Sequence, residues 1–210
     1  MKGRFITVEG GEGVGKTTNM QFIKDLLEKT GIEVRVTREP GGTELGESIR
    51  KLLLNPDNKG MAADTELLLM FAARAEHLAK LIRPALEAGQ WVLCDRFTDA
   101  TYAYQGGGRG VPLERIHQLE LWVQRGLAPD ITLLLDVPVK LGLQRASERG
   151  VPDRFEQEAV AFFERVRTSY LEQARLDPSR YRIIDASHPL KQVQAQIAHI
   201  LNQFIDGTRG

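Results

Sequence analysis

A single cysteine, Cys94, leaves the chain without a partner for an internal disulfide. It stands in the apolar run Trp91-Val92-Leu93-Cys94, where it reads as strand core and not as a nucleophile. Such sparse use of cysteine fits a reducing compartment. No stretch approaches the ~18 apolar residues of a membrane span, and Met1-Lys2-Gly3 leads into a strand without a long apolar signal region. The expected location is therefore the cytoplasm, with no membrane partner. An excess of one charge is missing too, because Lys plus Arg equals Asp plus Glu at 28 each. No global field marks a protein that coats nucleic acid or a membrane surface, and any basic site must be local. The chain shows no low-complexity tract, no dividing linker, and no repeat with a period of about 20 to 50 residues, so one domain over residues 1–210 is expected. His188 and His199 have no metal-ligand spacing and receive no role.

What the chain does contain begins with Gly10-Gly11-Glu12-Gly13-Val14-Gly15-Lys16-Thr17, directly after the apolar run Phe5-Ile6-Thr7-Val8 and before an amphipathic helix over Thr18–Leu27. This is G-x-x-x-x-G-K-[ST] in a strand-loop-helix context. Backbone N–H groups can converge on phosphate oxygens where bulky Cβ atoms are absent, and the helix N-terminus adds partial positive charge. Lys16 is placed to reach the β- and γ-phosphates of a nucleotide, and the Thr17 hydroxyl to ligate Mg²⁺. Strand-like runs recur at Arg4–Glu9, Glu33–Thr37, Trp91–Asp95, Ile131–Asp136 and Tyr181–Asp185, separated by segments of helical periodicity. That order predicts an α/β fold, a parallel sheet wrapped by helices.

Ligands of such sheets gather at the carboxyl ends of the strands. The second strand ends in Thr37-Arg38-Glu39-Pro40-Gly41-Gly42-Thr43, which places Arg38, Glu39 and, one helix later, Arg50 at the edge occupied by the phosphate loop. Asp64–Ala88 reads as one long helix with Asp64 as N-cap and Leu67, Phe71, Ala75, Leu78 and Ile82 as its core stripe. Arg74 falls at the edge of that stripe, flanked by Met70 and Phe71, where the pattern favours an arginine snorkelling to solvent. The third strand stops at Asp95-Arg96-Phe97. There Asp95 can order Mg²⁺-bound water or orient an acceptor, and Arg96 can grip a phosphate bidentately, although a plain surface ion pair explains the dipeptide equally well. Thr101, Tyr104 and Gln105 follow in helical spacing before the flexible-looking Gly106-Gly107-Gly108-Arg109-Gly110, and the Gln105 amide offers both a donor and an acceptor to a nucleobase. Pro112–Gln124 forms another helix, with a face suited to core or to a subunit interface. Arg145, Arg149 and Arg154 surround a Gly-x-Pro break and form a candidate mobile lid over roughly residues 145–155, although a solvated helix end would look the same. The helix Glu156–Arg175, the last strand and the helix Pro189–Ile205 read as scaffold.

Taken in this order and spacing, these motifs resemble the bacterial thymidylate kinases within the P-loop nucleoside monophosphate kinases, over essentially the whole chain. The resemblance implies a three-layer fold, a five-stranded parallel sheet with helices on both faces and a small lid. It implies transfer of the γ-phosphoryl group of ATP to dTMP, with Mg²⁺ as cofactor and a homodimer as the working form. Carried over by position, Gly10, Gly11, Glu12, Gly13, Val14, Gly15, Lys16, Thr17, Thr18 and Arg145 bind ATP, while Thr17 and Asp95 hold magnesium, the latter through water. Arg38, Arg50 and Arg96 surround the acceptor phosphate, and Glu12 and Glu39 lie near the acceptor's sugar or phosphate. Arg74, Thr101 and Gln105 match residues that read thymine, and Tyr104 matches an aromatic that disfavours a 2′-hydroxyl. Many relatives have a base-stacking Phe four residues before the Arg; here that position is Met70 and the Phe is Phe71, so both are candidates. The phosphate loop lacks an arginine, which points to Arg149 as the catalytic lid arginine beside Lys16, Asp95 and Arg96. Three other readings stand beside this one. A kinase for another nucleotide or a nucleoside fits Asp95-Arg96, but three arginines favour an acceptor that already carries phosphate. A nucleotide switch lacks an Asn-Lys-x-Asp segment, and a nucleic-acid ATPase lacks a basic excess.

Overall fold

The computed structural model describes residues 3–148 and 153–209. In chain order it contains β1 (Phe5–Glu9), α1 (Lys16–Lys29), β2 (Val34–Arg38), α2 (Glu44–Leu54), α3 (Ala63–His77), α4 (Arg83–Glu87), β3 (Trp91–Asp95) and α5 (Thr98–Thr101). There follow α6 (Leu113–Gln124), β4 (Ile131–Asp136), α7 (Val139–Ser147), α8 (Val160–Leu176), β5 (Tyr181–Asp185) and α9 (Leu190–Arg209). The strands form one parallel sheet in the order β2-β3-β1-β4-β5. The three inner strands are apolar and nearly all buried, as strands covered on both faces must be, whereas the edge strands expose Val36 and Ile183.

Alternation along each strand divides the core into two layers. Ile6, Val8, Leu93 and Leu133 face Ile23 and Leu27 of α1 and Ile197 and Leu201 of α9. Phe5, Val92 and Cys94 face the opposite way, onto Leu78, Ile82 and Leu86. Each fully buried aliphatic side chain contributes roughly 1.5–3 kcal/mol, so these layers carry much of the fold. The second face also receives Thr7 and Glu9, the alternate residues of β1, and Thr7 shares a 2.9 Å hydrogen bond with Thr132 of β4. A buried polar strip thus runs through that layer, ending at Glu9 beneath the phosphate loop.

The structure revises four expectations. The long helix is α3, a wide π turn at Leu78–Ile82 and α4 in succession, and its N-cap is Ala62, with Asp64 inside the first turn. Its buried side is broader than one stripe: Glu66, Ala73, Arg74 and His77 are buried with Leu67 and Phe71, whereas Ala75 is exposed beside Leu68 and Ala72. The glycine run after Gln105 is not a loop but a π turn, Tyr102–Gly108. Bare backbone is required there because a Cβ on Gly108 would lie 2.5 Å from the Phe162 ring of α8. Finally, α8 starts at Val160 and not at Glu156. Asp153 accepts from the N–H groups of Phe155 and Glu156 at 2.8 and 3.0 Å, and the resulting turn drives Arg154 and Phe155 inward.

Candidate active site

The phosphate loop leaves the central strand β1 and enters α1, whose first turn has no side-chain cap and so keeps its N–H groups for an anion. At Gly13 the loop has φ +68° and passes so close to α7 that a Cβ would stand 1.8 Å from the Gly142 carbonyl oxygen. Lys16 Nζ donates to the carbonyls of Gly10 and Gly11 at 3.2 and 2.9 Å. Burial, followed by the Arg96 charge, holds its ammonium below the usual lysine value. An ammonium held by two carbonyl groups is ready to exchange them for phosphate oxygens.

Arg96 ties this loop to the neighbouring strand. It follows β3 with φ +66°, a left-handed conformation uncommon for a residue with a Cβ. Its side chain reaches the loop: Nη1 donates to Gly10 O at 2.7 Å and Nη2 to Glu12 Oε1 at 2.8 Å. Its guanidinium carbon lies 4.8 Å from the centre of the Tyr104 ring, and the Tyr104 hydroxyl donates to the same Glu12 oxygen at 2.8 Å. Below, Arg96 Nη1 donates to the Tyr170 hydroxyl at 3.2 Å, and that hydroxyl donates to Glu9 Oε2 at 2.8 Å. The other Glu9 oxygen accepts from the Phe97 N–H at 2.7 Å. Burial, then the charge of Asp99, pushes the Glu9 carboxyl up to about 8.

A cleft of about 250 Å³ opens beside the loop, and Glu12, Lys16, Thr17, Arg50, Asp95 and Arg96 line its phosphate end. Arg50 is fixed by a 3.0 Å hydrogen bond to the Pro40 carbonyl. Among the described residues Asp95 Oδ1 is buried without a hydrogen-bond partner, and Asp95 shares the cleft with Thr17. That orphaned oxygen, on a residue lining the same cleft as Thr17, suits a magnesium ion held through water. Among the described residues no three His, Cys, Asp or Glu side chains converge as a metal cage.

Met70, Arg74, Phe97, Thr101, Tyr104 and Gln105 line the other end. Arg74 is only 2% exposed and is paired, not snorkelling: Nε donates to Glu39 Oε2 at 2.7 Å and Nη2 to Thr101 Oγ1 at 2.9 Å. Glu39 is held from behind by His77 Nδ1 at 3.0 Å, whose Nε2 is 2.7 Å from Thr37 Oγ1. The Phe71 and Phe97 rings lie 4.7 and 5.1 Å from the guanidinium carbon of Arg74. Among the described residues its Nη1 is buried with no hydrogen-bond partner, a donor in want of an acceptor. Gln105 is buried and donates Nε2 to Glu66 Oε1 at 2.8 Å.

The cleft thus gathers most of the residues anticipated for it. Phe71 is not among its lining; it lies in the core under Arg74, and Met70 takes the cleft side. Arg38 is 53% side-chain exposed, pairs with Glu47 at 2.8 Å and lines an adjoining groove with Thr17 and Asp95. Thr18 is exposed outside the cleft lining, and Gly10 and Gly11 back onto a small cavity against β4. Arg145 donates to the carbonyls of Ala186 and Ser187 at 2.9 and 3.4 Å, beyond the cleft lining. Arg154, expected on the lid, is 3% exposed and bound to Leu53 O at 2.6 Å. Arg149 lies outside the described residues. His188, given no role, lies 3.4 Å from Asp185 in an exposed pair. Residues not foreseen are Glu9, Glu66, His77 and Tyr170. Only Glu66 carried a signal, as the first of a 66, 70, 74 series at i+4 spacing that aligns three side chains toward one place.

Comparison with known proteins follows the same lines. The sequence model described as thymidylate kinase matches residues 8–197. The thymidylate kinase of Pseudomonas savastanoi pv. phaseolicola is 58% identical over 210 residues, covering all of both chains, and that of Pseudomonas putida (strain GB-1) matches at the same identity and coverage. The crystal structure of thymidylate kinase from Ehrlichia chaffeensis superposes with a TM-score of 0.77 at 36% identity, covering 96% of this chain and 99% of that one.

Proposed function

The chain belongs to the thymidylate kinase family, and from that premise we propose that it moves the γ-phosphoryl group of ATP onto the 5′-phosphate of dTMP, giving ADP and dTDP. It is an enzyme, a nucleoside monophosphate kinase. The observation that carries the finer reading is the two-ended cleft, with a phosphate loop and Arg50 and Arg96 at one end and the unpartnered Arg74 Nη1 beside Gln105 at the other. Thymine offers the acceptor that Arg74 lacks, its O4, and Met70 supplies a thioether to cover a ring face. Tyr104, held by Glu12, stands between the two ends where the sugar must pass, and Glu39 acts on the substrate through the Arg74 guanidinium it holds.

Catalysis in this reading is positioning together with charge stabilisation. Lys16 leaves the carbonyls of Gly10 and Gly11 for the transferred phosphate, and the α1 N-terminus cradles the donor phosphates within the loop Gly10–Thr18. Arg96 holds the acceptor phosphate in line while gripping Glu12, so donor and acceptor are aligned by one side chain. Thr17 and Asp95 would hold Mg²⁺, whose contribution is to neutralise charge on the donor's phosphate oxygens. Arg38 and Arg145 border the acceptor and donor sides respectively. We assign Arg149, on a lid of roughly residues 145–155 in a single kinase unit, to the charge that develops on the transferred group. The working form in this proposal is a homodimer built on α3 and α6, whose surface exposes Leu68, Leu121 and the 72% exposed Trp122.

ADP formation with ATP, Mg²⁺ and each monophosphate in turn tests the reaction: turnover with dTMP exceeds that with dCMP or dGMP, and equal rates refute it. Arg149→Ala lowers kcat far more than it weakens dTMP binding; an unchanged kcat removes Arg149 from the mechanism. Sedimentation shows a dimer that Trp122→Glu disrupts, and a monomeric parent protein refutes the assembly.

A further inference from the structure

Behind the base end of the cleft lies a buried charge cluster that the reaction does not require. Glu66 of α3 is fully buried, and its Oε2 lies 2.7 Å from Arg154 Nη2. Its Oε1 accepts from Arg109 Nε at 3.3 Å and from Gln105 Nε2 at 2.8 Å. A carboxylate paired with guanidinium groups has only acceptors to offer. It can therefore bind only the NH₂ end of the Gln105 amide. Turning that amide over would set its carbonyl against the buried carboxylate and strip the NH₂ of its partner. With Nε2 held against Glu66, Oε1 is the acceptor that the amide has left to offer the cleft Gln105 lines.

We propose that Glu66 is a specificity-determining positioning residue, which locks the Gln105 amide with its carbonyl toward the base so that the cleft selects a ring nitrogen bearing hydrogen. This rests on the reading of Gln105 as base-facing. Thymine and uracil carry a hydrogen on N3 and a carbonyl at C4, which meet the Gln105 oxygen and the free Arg74 Nη1 in turn. Cytosine presents the opposite pair, an N3 acceptor facing an acceptor and an amine facing a donor. Arg74 alone would discriminate at one position; a fixed Gln105 makes the selection two-point. Arg109 and Arg154 serve the selection by neutralising Glu66. The same ion pair also anchors the chain at Arg154, which binds Leu53 and Leu54 carbonyls through its side chain and backbone. A purely structural Glu66 must therefore be separated from a selective one.

Three substrates and a mutant cycle make that separation. Glu66→Gln leaves an amide that can meet either end of Gln105, so the dTMP-to-dCMP ratio of kcat/KM falls by about tenfold, chiefly through KM for dTMP. The dTMP-to-dUMP ratio stays constant because both bases carry N3–H, and KM for ATP stays constant too. In a Gln105→Ala background, Glu66→Gln changes the dTMP-to-dCMP ratio no further. An unchanged ratio in Glu66→Gln, or an equal loss in the Gln105→Ala background, overturns the proposal. If Gln105→Ala itself leaves the ratio unchanged, Gln105 does not read the base, and the assignment of Gln105 above falls together with this one. Should Glu66→Gln fail to fold beside unpaired arginines, the charge-neutral pair Glu66→Gln with Arg154→Gln is judged by the same ratios.

Discussion

Replacing Glu9 by glutamine should flatten a pH dependence of stability that the wild-type protein carries. The carboxyl is fully buried on β1, accepts from Tyr170 and from the Phe97 N–H, and titrates at about 8 in the folded protein against an ordinary 4.5. Between those two values the folded chain holds a proton that the unfolded chain has released. Stability contributed by this group is therefore complete below about pH 4.5 and declines as pH rises through about 8, the reverse of the usual carboxylate behaviour. At about 1.36 kcal/mol per pKa unit, the ceiling is about 5 kcal/mol. Relaxation and water penetration around the ionised carboxylate lower that ceiling, so a realised loss of about 1–3 kcal/mol is expected. Glu9→Gln keeps the size and one acceptor but cannot ionise. Urea denaturation of both proteins from pH 5 to 9, corrected for the changes they share, should show wild type losing stability relative to the variant as pH rises. A constant difference across that range would refute the account, and an increasing advantage for wild type would reverse its sign.

Three further outcomes follow from the site. Glu39→Gln removes the charge partner of buried Arg74 and loosens His77; it should cost roughly 3 kcal/mol and lower Tm by about 6–12 °C, measured by calorimetry, whereas a shift below about 2 °C contradicts the pairing. Gly13→Ala forces a Cβ into the Gly142 carbonyl at a positive φ, so nucleotide affinity by titration calorimetry and Tm should drop together, and wild-type values for both would be incompatible with this packing. Arg96→Lys substitutes a point charge for a fork that grips Gly10 and Glu12 together. Its kcat/KM for dTMP should fall by about a hundredfold, and a loss under threefold would remove Arg96 from the alignment of donor and acceptor.

How far the sequence could be read depended on the range of the interaction. Gly10–Thr17 and the strand ends at Arg38 and Asp95 were legible because their meaning is local: a loop needs glycine, and a parallel strand delivers ligands at its carboxyl end. Strands β3, β4 and β5 were placed residue for residue from short apolar runs. Arg74 was misread because helical periodicity prices a charge at the edge of a buried stripe as exposed; nothing in the spacing shows that Glu39, 35 positions away, will meet it. Glu9 and Tyr170 are 161 positions apart and look like a strand end and a scaffold helix until the fold joins them. Met70 and Phe71 differ by about 100° of helix rotation, and spacing alone did not show that Phe71 packs against Leu67 and Ile116 while Met70 lines the cleft.

The strand order β2-β3-β1-β4-β5 has an evolutionary consequence. The phosphate grip hangs from the middle strand, while the walls of the acceptor cleft come largely from one flank: the segment after β2, then α3, β3 and α5. Under the proposed function, a chain built this way exchanges its acceptor on that flank through substitutions at Met70, Arg74 or Gln105 and leaves Lys16 untouched. In that proposal the constraint on such drift is Arg96, whose side chain grips Gly10 and Glu12 of the loop and also meets Tyr104 and Tyr170.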